Sequence, residues 1–417
     1  MVTARTAVAR GCGGARALAL LLCWPPQMPR PGYESVVLVT GFPTFVAKKL
    51  ALHIILGEPR TQVIAVVPPH RLVEARHVID SLDPADRERM VLFEGDAAAI
   101  DMGLSGAEIR QLAREVDRIH HVAHASYLGV DRETAHALNV VATSEILSIA
   151  RLLTGLRCLV YHSTAFVSGD RKGTVYEEDF FADASHRSVI EETRARGESL
   201  ARRAQKSLPI AILRPTMIVG DSGTGEIDTL DLPYLFVLLL LAAPADLALP
   251  IPARGDAPLH LVPIDFVVRA ATAIGLDPRA PGRTFHLADP SPLPVRRFVE
   301  MIHLIRERRA AWVELGTLAR SMLRTPGIQG YLRNPKALID QILTTVRFDS
   351  ANADTVLDPL GITCPPLDTY ADKIVAAVEE RLIGRAPMSA DRSRVTGEIP
   401  LEESGQDAPS IDTDAMD

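Results

Sequence analysis

Six largely apolar segments, separated by segments of helix length, constrain the fold of this chain more than any other feature of its sequence. None of them alternates polar and apolar residues as a half-exposed strand would, which indicates parallel strands covered by helices on both faces of a sheet. The intervening segments have the apolar spacing of amphipathic helices. The pattern predicts an α/β fold with a doubly wound parallel sheet, whose ligands bind beyond the carboxyl ends of the strands. The predicted strands are Val36–Val39, Val63–Val67, Met90–Phe93, Ile119–Ala123, Cys158–Tyr161 and Ile210–Leu213.

The composition excludes several classes of protein. The 417 residues carry a formal net charge of -7, and 47% of them are hydrophobic and 23% charged, which gives no electrostatic reason to expect a nucleic-acid partner. The 4 cysteines include no Cys-x-x-Cys pair and form no cluster with nearby histidines, so the sequence supports neither a disulfide framework nor a structural zinc site. A cytoplasmic location is therefore expected, and the oligomeric state stays open.

The sequence also predicts a division into successive parts. Residues 1–32 are an Arg-rich and then apolar leader, which we expect to be disordered or to precede the true start codon. Residues 33–231 carry the predicted strands, and residues 257–290 return to the sheet. Residues 291–384 have helical spacing and predict a smaller, mostly α-helical substrate region. Residues 385–417 accumulate acidic residues among Ser, Gly and Pro, which predicts a disordered acidic tail.

The remaining part, residues 232–256, is strongly apolar. No charged residue occurs from Leu232 to Ala245. This stretch is too short to span a membrane comfortably, and it contains two prolines. We interpret it as an apolar lid over a substrate pocket, with a buried helix and a peripheral membrane contact as the alternatives.

The turn after the first predicted strand is the first candidate for ligand binding. It reads Thr40-Gly41-Phe42-Pro43-Thr44-Phe45-Val46-Ala47, and the amino-terminal N–H groups of the helix that follows are suited to a dinucleotide pyrophosphate. Further strings follow in a fixed order: Gly95-Asp96, Asp101-Met102-Gly103-Leu104-Ser105, Asn139-Val140, Ser163-Thr164-Ala165-Phe166-Val167-Ser168-Gly169, Leu213-Arg214-Pro215-Thr216-Met217-Ile218-Val219-Gly220, Asp221-Ser222-Gly223-Thr224-Gly225-Glu226, His260-Leu261-Val262-Pro263-Ile264-Asp265 and Thr284-Phe285-His286-Leu287-Ala288-Asp289.

Together these motifs resemble the extended short-chain dehydrogenase/reductase family, and within it the male-sterility-type NAD(P)-binding branch of fatty acyl-CoA reductases and thioester reductases. The resemblance covers residues 33–290 and extends more loosely toward residue 380. It implies that residues 33–231 form a Rossmann-like NAD(P)-binding domain and that the protein is an oxidoreductase. The implied substrate is an acyl thioester or an aldehyde with an apolar chain.

The resemblance also assigns the cofactor site, with two departures from the family's T-G-x-x-G-x-x-G loop. Thr44 replaces the second glycine, where its side chain intrudes on the approach of backbone to phosphate or offers the phosphate a hydroxyl. Ala47 replaces the third glycine, which mainly affects helix–strand packing. The implied cofactor-binding residues are Gly41, Phe42, Pro43, Thr44, Phe45, Val46, Arg71, Asp96, Ala97, Ala123, His124, Arg194, Pro215, Thr216 and Ile218.

Arg71 decides which dinucleotide the resemblance favours. The segment Pro68-Pro69-His70-Arg71 after the second strand contains no carboxylate for an NAD ribose. Because Arg71 suits a 2′-phosphate, NADP is the implied cofactor and NAD the alternative. A solvated Arg71 at the start of a helix is the competing interpretation. For His124, the competing interpretation is a buried histidine with satisfied hydrogen bonds.

The catalytic residues depart furthest from the family, which uses a Tyr-x-x-x-Lys pair and a Ser or Thr. Thr164 falls on the Ser/Thr position. Thr193 and Glu198 fix the register of the helix, and they place Ile190 at the tyrosine and Arg194 at the lysine. Isoleucine has no proton to give, whereas arginine keeps the charge without being equivalent to lysine. Tyr127 and Tyr176 could take over as the proton donor. His186 and Arg187 could polarise a carbonyl group or could simply be exposed loop residues.

Three hypotheses about function follow from these residues. The first is an NAD(P)-dependent reductase of an acyl thioester or aldehyde. The second is a catalytically inactive family member, a pseudoenzyme that keeps the scaffold or nucleotide binding for a regulatory or partner-binding role, which Ile190, Arg194 and Thr44 favour. The third is another chemistry on the same fold that needs no tyrosine, such as isomerisation, with Thr164 and bound water as the polar groups.

Overall fold

A central parallel sheet organises the computed structural model, which describes residues 32–125, 130–180, 184–227, 232–242, 256–307, 342 and 344–383. The strands are β1 (Ser35–Thr40), β2 (Thr61–Val67), β3 (Met90–Glu94), β4 (Arg118–His121), β5 (Cys158–His162), β6 (Thr174–Val175), β7 (Ile210–Pro215), β8 (Met217–Val219), β9 (Leu261–Pro263), β10 (Thr284–Leu287) and β11 (Arg347–Phe348). The main sheet has seven strands in the order β10-β7-β5-β4-β1-β2-β3. All its strand pairs are parallel, which confirms the doubly wound α/β prediction.

Helices connect these strands, and serine caps define where two of them begin. Ser105 accepts a hydrogen bond from the Glu108 N–H, and the Glu108 carboxylate accepts one from the Ser105 N–H, which is a capping box. Ser188 likewise accepts from the N–H of Glu191. The helices are α1 (Phe45–Gly57), α2 (Leu72–Asp80), α3 (Pro84–Arg87), α4 (Gly106–Glu115), α5 (Arg132–His136), α6 (Ala142–Ala150), α7 (Val189–Ala204), α8 (Leu232–Ala242), α9 (Ile264–Leu276), α10 (Val295–Glu307), α11 (Ala351–Leu357) and α12 (Ala371–Ile383).

The two faces of the sheet bury separate apolar cores. On one face, side chains of β1 and β2 such as Val37 pack with helices α1, α9 and α11. On the other face, Leu38 and Ile64 pack with α4, α6 and α7. Because neighbouring residues of one strand are buried on opposite faces, most strand residues are apolar, which is the pattern that the sequence displays. Strand β4 is the exception, since Arg118, His120 and His121 are buried in it.

A third apolar cluster lies beyond the main sheet and is built around α8. Tyr234, Leu235 and Leu238 of this helix are buried with residues of α10 and α12. The described part of the predicted lid is therefore a buried helix, and residues 243–255 lie outside the described residues. Where the structure describes the chain, it contains no helix both long enough and apolar enough to cross a membrane.

The predicted carboxyl-terminal region is divided between two packing environments. Helix α12 belongs to the cluster around α8, whereas Ala353 and Val356 of α11 pack under the main sheet. Strand β11 pairs with β6, which precedes α7 in the sequence. The predicted leader, except for Gly32, and the predicted acidic tail lie outside the described residues.

Candidate functional site

The predicted phosphate loop lies where the strand order reverses, between β1 and β4. Gly41 has a φ of +82°, and a Cβ atom added there would lie 2.8 Å from the amide nitrogen of Ala123. Glycine permits this approach because it has no Cβ atom. The Thr40 hydroxyl joins the same strand ends, since it accepts hydrogen bonds from the N–H groups of Val122 (3.1 Å) and Ala123 (3.2 Å). The two segments form a crevice at the position where open α/β sheets bind ligands.

The first turn of α1 is suited to an anion. Thr44 is its N-cap residue, but the Thr44 side chain makes no capping hydrogen bond, and the first turn contains no acidic residue. The N–H groups of a first helical turn have no partner within the helix and carry the positive end of the helix dipole. Ala47 is fully buried in the core between this helix and the sheet. The loop from Gly41 to Val46 therefore fits a pyrophosphate despite the threonine.

Small side chains line the crevice at the ends of β3 and β4. Ala97 and Ala123 pack together with Ala142. Asp96 is exposed, and its carboxylate accepts a hydrogen bond from the N–H of Ala98 at 2.9 Å. The structure thus brings the predicted residues after β3 beside those after β4.

Arg71 already has a partner of opposite charge. Its Nε and Nη2 atoms donate to the Glu74 carboxylate at 3.0 and 2.9 Å, next to the start of α2. The pair would have to open before Arg71 could bind a phosphate. Both interpretations made from the sequence therefore remain.

Polar atoms without partners collect where β4 ends and α7 passes. Both ring nitrogens of His124 are buried and have no hydrogen-bond partner among the described residues, and the same holds for Nε2 of His121. The interpretation of His124 as a satisfied buried histidine therefore gains no support from the hydrogen bonds of the described residues. Arg194 is half-buried on α7, and within the described ranges it makes no hydrogen bond or ion pair. Because buried polar groups are almost always paired, the histidine nitrogens and the Arg194 guanidinium are available to a ligand or to water.

We name this group the His124–Arg194 corner, comprising His121, His124, Tyr161 and Arg194. The rings of His121 and His124 lie 4.9 Å apart between centroids, and both are within 6 Å of the Tyr161 ring. Burial and then the positive charge of Arg194 hold the pKa of His124 well below its usual value. Burial, with the charges of His162 and Arg194, lowers the pKa of His121 to about 3. Both imidazoles are therefore neutral at physiological pH.

Thr40 determines which nitrogen of His121 carries the proton. Its hydroxyl oxygen already accepts two backbone hydrogen bonds, and it lies 2.9 Å from Nδ1 of His121. The hydroxyl proton is therefore directed to Nδ1, which leaves the imidazole proton on Nε2. His121 thus contributes an N–H donor whose position is fixed by the residue before Gly41.

The ends of β5 and β7 supply the remaining predicted residues. The Thr164 hydroxyl donates to the Pro215 carbonyl oxygen at 3.4 Å and accepts from the N–H of Phe166 at the same distance. The Thr216 hydroxyl is buried and has no partner. Ile218 is half-buried beside the core. Thr164 and Pro215 are therefore in contact, and Thr216 offers a hydroxyl for a ligand.

Ile190 occupies an apolar environment at the tyrosine position. It packs against a small cluster that contains Ala125, Val130 and Ala135. This cluster adjoins the corner, because Ala125 directly follows His124 in the sequence.

The candidate substitutes for tyrosine differ in their surroundings. Tyr127 lies outside the described residues, and Tyr176 is exposed. His186 Nε2 is 3.4 Å from the Val167 carbonyl oxygen, and Arg187 is ion-paired with Glu191. Tyr161 is fully buried, and burial raises its pKa to about 12. Of these four described side chains, Tyr176 is exposed to solvent, His186 and Arg187 contact other groups, and Tyr161 is buried. None of them replaces the missing tyrosine as a proton donor in this structure.

Asn139 and Thr193, two further residues of the motifs, are hydrogen-bonded to each other. The Asn139 side chain accepts from the Ala125 N–H and donates to the Thr193 hydroxyl, both at 2.9 Å. It thereby ties the loop after β4 to α7, at a π-helical turn, Ala137–Val141.

The sequence analysis did not select His121 as a site residue, although its position three residues before His124, at the end of the same strand, was the available signal. Among the described residues, no group of His, Cys, Asp and Glu is placed to hold a metal ion.

Comparison with known proteins agrees with this geometry. Residues 39–271, more than half of the chain, match the family model described as male sterility protein. A carboxylic acid reductase of Mycobacterium marinum is 23% identical over 82% of this chain and 33% of its own length. The chain therefore spans about a third of that relative.

Solved structures share the fold. The terminal R domain of the myxalamid biosynthetic pathway superposes with a TM-score of 0.69, at 23% identity, over 86% of this chain and 94% of that domain. UDP-glucuronic acid 4-epimerase from Bacillus cereus, solved in complex with NAD, gives a TM-score of 0.58 at 17% identity, over 84% of this chain and 99% of the epimerase. Together with the match to the family model, the crevice at Gly41 and the motif order identify this chain as a member of the male sterility protein family, an NAD(P)-binding branch of the extended short-chain dehydrogenase/reductases.

Proposed function

We propose that this protein is an NAD(P)-dependent reductase that acts on an acyl thioester or an aldehyde with an apolar chain. The observation that carries the proposal is the crevice beside Gly41 and Ala123, where an uncapped helix amino terminus adjoins unpartnered polar atoms. A dinucleotide would satisfy both features, because its pyrophosphate suits the helix and its ribose hydroxyls suit the polar atoms.

Each part of the crevice has a role in this proposal. The loop from Gly41 to Val46 would hold the pyrophosphate, and Asp96 and Ala97 would adjoin the adenine. Arg194 and Thr216 would hold the groups next to the nicotinamide, which when bound supplies the hydride for carbonyl reduction. Thr164 would orient the carbonyl group of the substrate.

NADP is the dinucleotide that we favour. Arg71 carries the charge that a 2′-phosphate would need, and the first turn of α1 carries no carboxylate that would repel it. Glu74 competes for the same guanidinium. The preference for NADP is therefore expected to be moderate, and NAD is the alternative.

The substrate class rests on the relatives. The Mycobacterium marinum relative is named as a carboxylic acid reductase, and the apolar helix α8 shares a buried cluster with Phe166 and Met217, which neighbour Thr164 and Thr216 in the sequence. An apolar acyl chain is the substituent that such surroundings favour. The lid over residues 243–256, a peripheral membrane contact and a cytoplasmic location stay predictions.

The proposal is tested first by titrating the purified chain with NADPH and with NADH while following nicotinamide fluorescence. The wild type is expected to bind one of them at micromolar concentration, and the Thr216→Val variant is expected to bind more weakly because it removes the unpartnered hydroxyl. The matched control is Thr355→Val, since Thr355 is exposed on α11. Oxidation of the nucleotide is then measured with octanoyl-CoA and with octanal. If neither nucleotide binds at millimolar concentration, the proposal fails.

A non-catalytic function is the second candidate, and the surroundings of Ile190 favour it. The side chain at the tyrosine position is packed with apolar residues rather than presented to a carbonyl group. Such a protein would bind the nucleotide but oxidise it with neither octanoyl-CoA nor octanal. The same two experiments therefore separate the two candidates.

A further inference from the structure

The family places a tyrosine hydroxyl where this chain has Ile190, so any carbonyl bound here needs another source of polar contacts. Three neutral or positive groups, each with at least one nitrogen that has no partner among the described residues, lie near that position. Arg194 follows Ile190 by one helical turn on α7, and His124 directly precedes Ala125, which shares a cluster with Ile190. His121 adds an N–H donor in the same corner.

We propose that His124 and Arg194 bind the carbonyl oxygen of the substrate and stabilise the negative charge that develops on it. This inference rests on the proposed function, adds His124 to it as a catalytic residue and extends the role of Arg194 from the nicotinamide to the carbonyl oxygen. An N–H of the neutral imidazole and the guanidinium donate to the oxygen, whereas Ile190 contributes only apolar contact. Preorganised donors of this kind act strongly in a site that excludes water.

His124 is better placed for this role than His121. His124 is partly exposed as a residue, although its ring nitrogens are buried, whereas His121 is fully buried. Both nitrogens of His124 are unpartnered, so either tautomer can present an N–H to the substrate. His121 packs edge to face against the His124 ring and limits its rotation.

These donors suit the reduction of a thioester to an aldehyde better than the reduction of an aldehyde to an alcohol. In the first reaction, hydride adds to the carbonyl carbon and the C=O electron pair moves to oxygen. The oxyanion then re-forms the C=O bond and expels the thiolate, which takes a proton from water. The balance is thioester + NADPH + H⁺ giving aldehyde + thiol + NADP⁺. The carbonyl oxygen never accepts a proton.

Reduction of the aldehyde would require a proton on that oxygen. Isoleucine at position 190 cannot give one, and the arginine and the neutral histidine are poor acids at physiological pH. We therefore expect the aldehyde to be the product of this site. The Ile190→Tyr variant, which adds a proton donor beside Arg194, is expected to form alcohol as well.

The binding test uses decanoate, whose carboxylate carries the charge of the oxyanion on an apolar chain. Its affinity is measured calorimetrically for the protein saturated with NADP⁺, and for the protein alone should NADP⁺ not bind. His124→Ala is expected to weaken decanoate binding by about tenfold or more, while the affinity for NADP⁺ changes by less than about threefold. His124→Gln keeps an N–H donor and is expected to recover part of the loss. His77→Ala, at an exposed histidine of α2, is the matched control.

The outcomes separate this inference from the proposed function. If decanoate binds the wild type and the His124→Ala and Arg194→Gln variants equally, or does not bind the wild type at millimolar concentration, the oxygen-binding role is overturned. If His124→Ala lowers the affinity for NADP⁺ but not the affinity for decanoate, His124 holds the ribose and the inference is also overturned. If decanoate depends on both residues but octanoyl-CoA is not reduced, the proposed function fails while the carboxylate-binding site stands. Accumulation of octanol instead of octanal in the wild type would refute the product assignment.

Discussion

Glu198 and Arg214 form an ion pair in the protein core, with Arg214 Nη2 at 2.6 Å from Glu198 Oε1. Both side chains are at most 2% exposed. Arg202 and the Ser163 hydroxyl also donate to the Glu198 carboxylate. Burial alone would raise the pKa of Glu198, but the two guanidinium groups and the hydroxyl outweigh it and hold the pKa at about 2. The pair joins α7, which carries Ile190 and Arg194, to the strand that ends at the site.

The Glu198→Gln variant is expected to lose about 3–5 kcal/mol of the free energy of unfolding, because it leaves Arg214 buried without a charged partner. Glu192→Gln on the same helix is the matched control. Glu192 pairs with Arg132 and Arg196, which are 63% and 58% exposed, so its loss should cost less than about 1 kcal/mol. Urea unfolding of both variants measures the difference. Equal losses would contradict a special role for the buried pair.

Stability is expected to fall as the pH drops below the usual histidine pKa. Burial lowers the pKa values of His121, His162 and His286 to about 3 in the folded protein, whereas the value for an unfolded chain is 6.5. The unfolded chain therefore binds more protons between pH 6.5 and 3, so folding stability is complete above pH 6.5 and is lost toward pH 3. Each neutral histidine contributes a slope of at most about 1.4 kcal/mol per pH unit. The carboxylate of Glu198 adds to the loss only below its unfolded pKa of 4.5.

The measurement is the denaturation midpoint between pH 7 and pH 4.5. His162→Gln is expected to flatten the dependence because one of the titrating groups is removed. His77→Gln, at an exposed histidine, is expected to leave the slope unchanged. Identical slopes in all three proteins would show that buried histidines do not control the acid transition.

Gly41→Ala is expected to damage both folding and nucleotide binding. The added Cβ would meet backbone atoms of Val122 and Ala123 within 2.9 Å, at a φ of +82°. Residues held in a strained backbone conformation cost of order 1–3 kcal/mol. Gly57→Ala is the control, since a Cβ atom at that helical residue meets nothing within 4 Å. Thermal unfolding and NADPH titration check the pair, and a Gly41→Ala protein with normal affinity would remove the loop from the proposed site.

The sheet could be predicted because its strands are apolar on both faces. Successive residues of Val36 to Val39 and of Val63 to Val67 are buried in the two cores in turn. Every residue of these two segments is therefore apolar, and an uninterrupted apolar segment is easy to recognise in the sequence. The motifs after the strands follow from the same regularity, since parallel strands end at one edge. The assignment of Gly41, Ala123 and Thr216 to a cofactor, however, is implied by the family resemblance and not by this regularity.

The partners of the site residues could not be predicted in the same way. The unpaired state of His124 depends on which side chains of β5 and α7 surround it, and the sequence does not encode those distances locally. Similarly, α11 lies far along the chain among helical segments, yet Ala353 and Val356 pack under the sheet. Long-range packing decided both outcomes, whereas apolar periodicity reports only local structure and burial.

Arg71 provides the test of cofactor preference. Arg71→Ala is expected to weaken NADPH binding by about tenfold to a hundredfold, the worth of a hydrogen bond to a charged group, and to leave NADH binding unchanged. Glu74→Gln removes the carboxylate that now accepts from Arg71 Nε and Nη2, so it should strengthen NADPH binding and again leave NADH unaffected. His70→Ala, at the exposed neighbour, is the control. Opposite effects of the two variants would assign the 2′-phosphate to Arg71. If both variants bind NADPH as the wild type does, Arg71 serves only to begin α2, and NADP preference loses its main support.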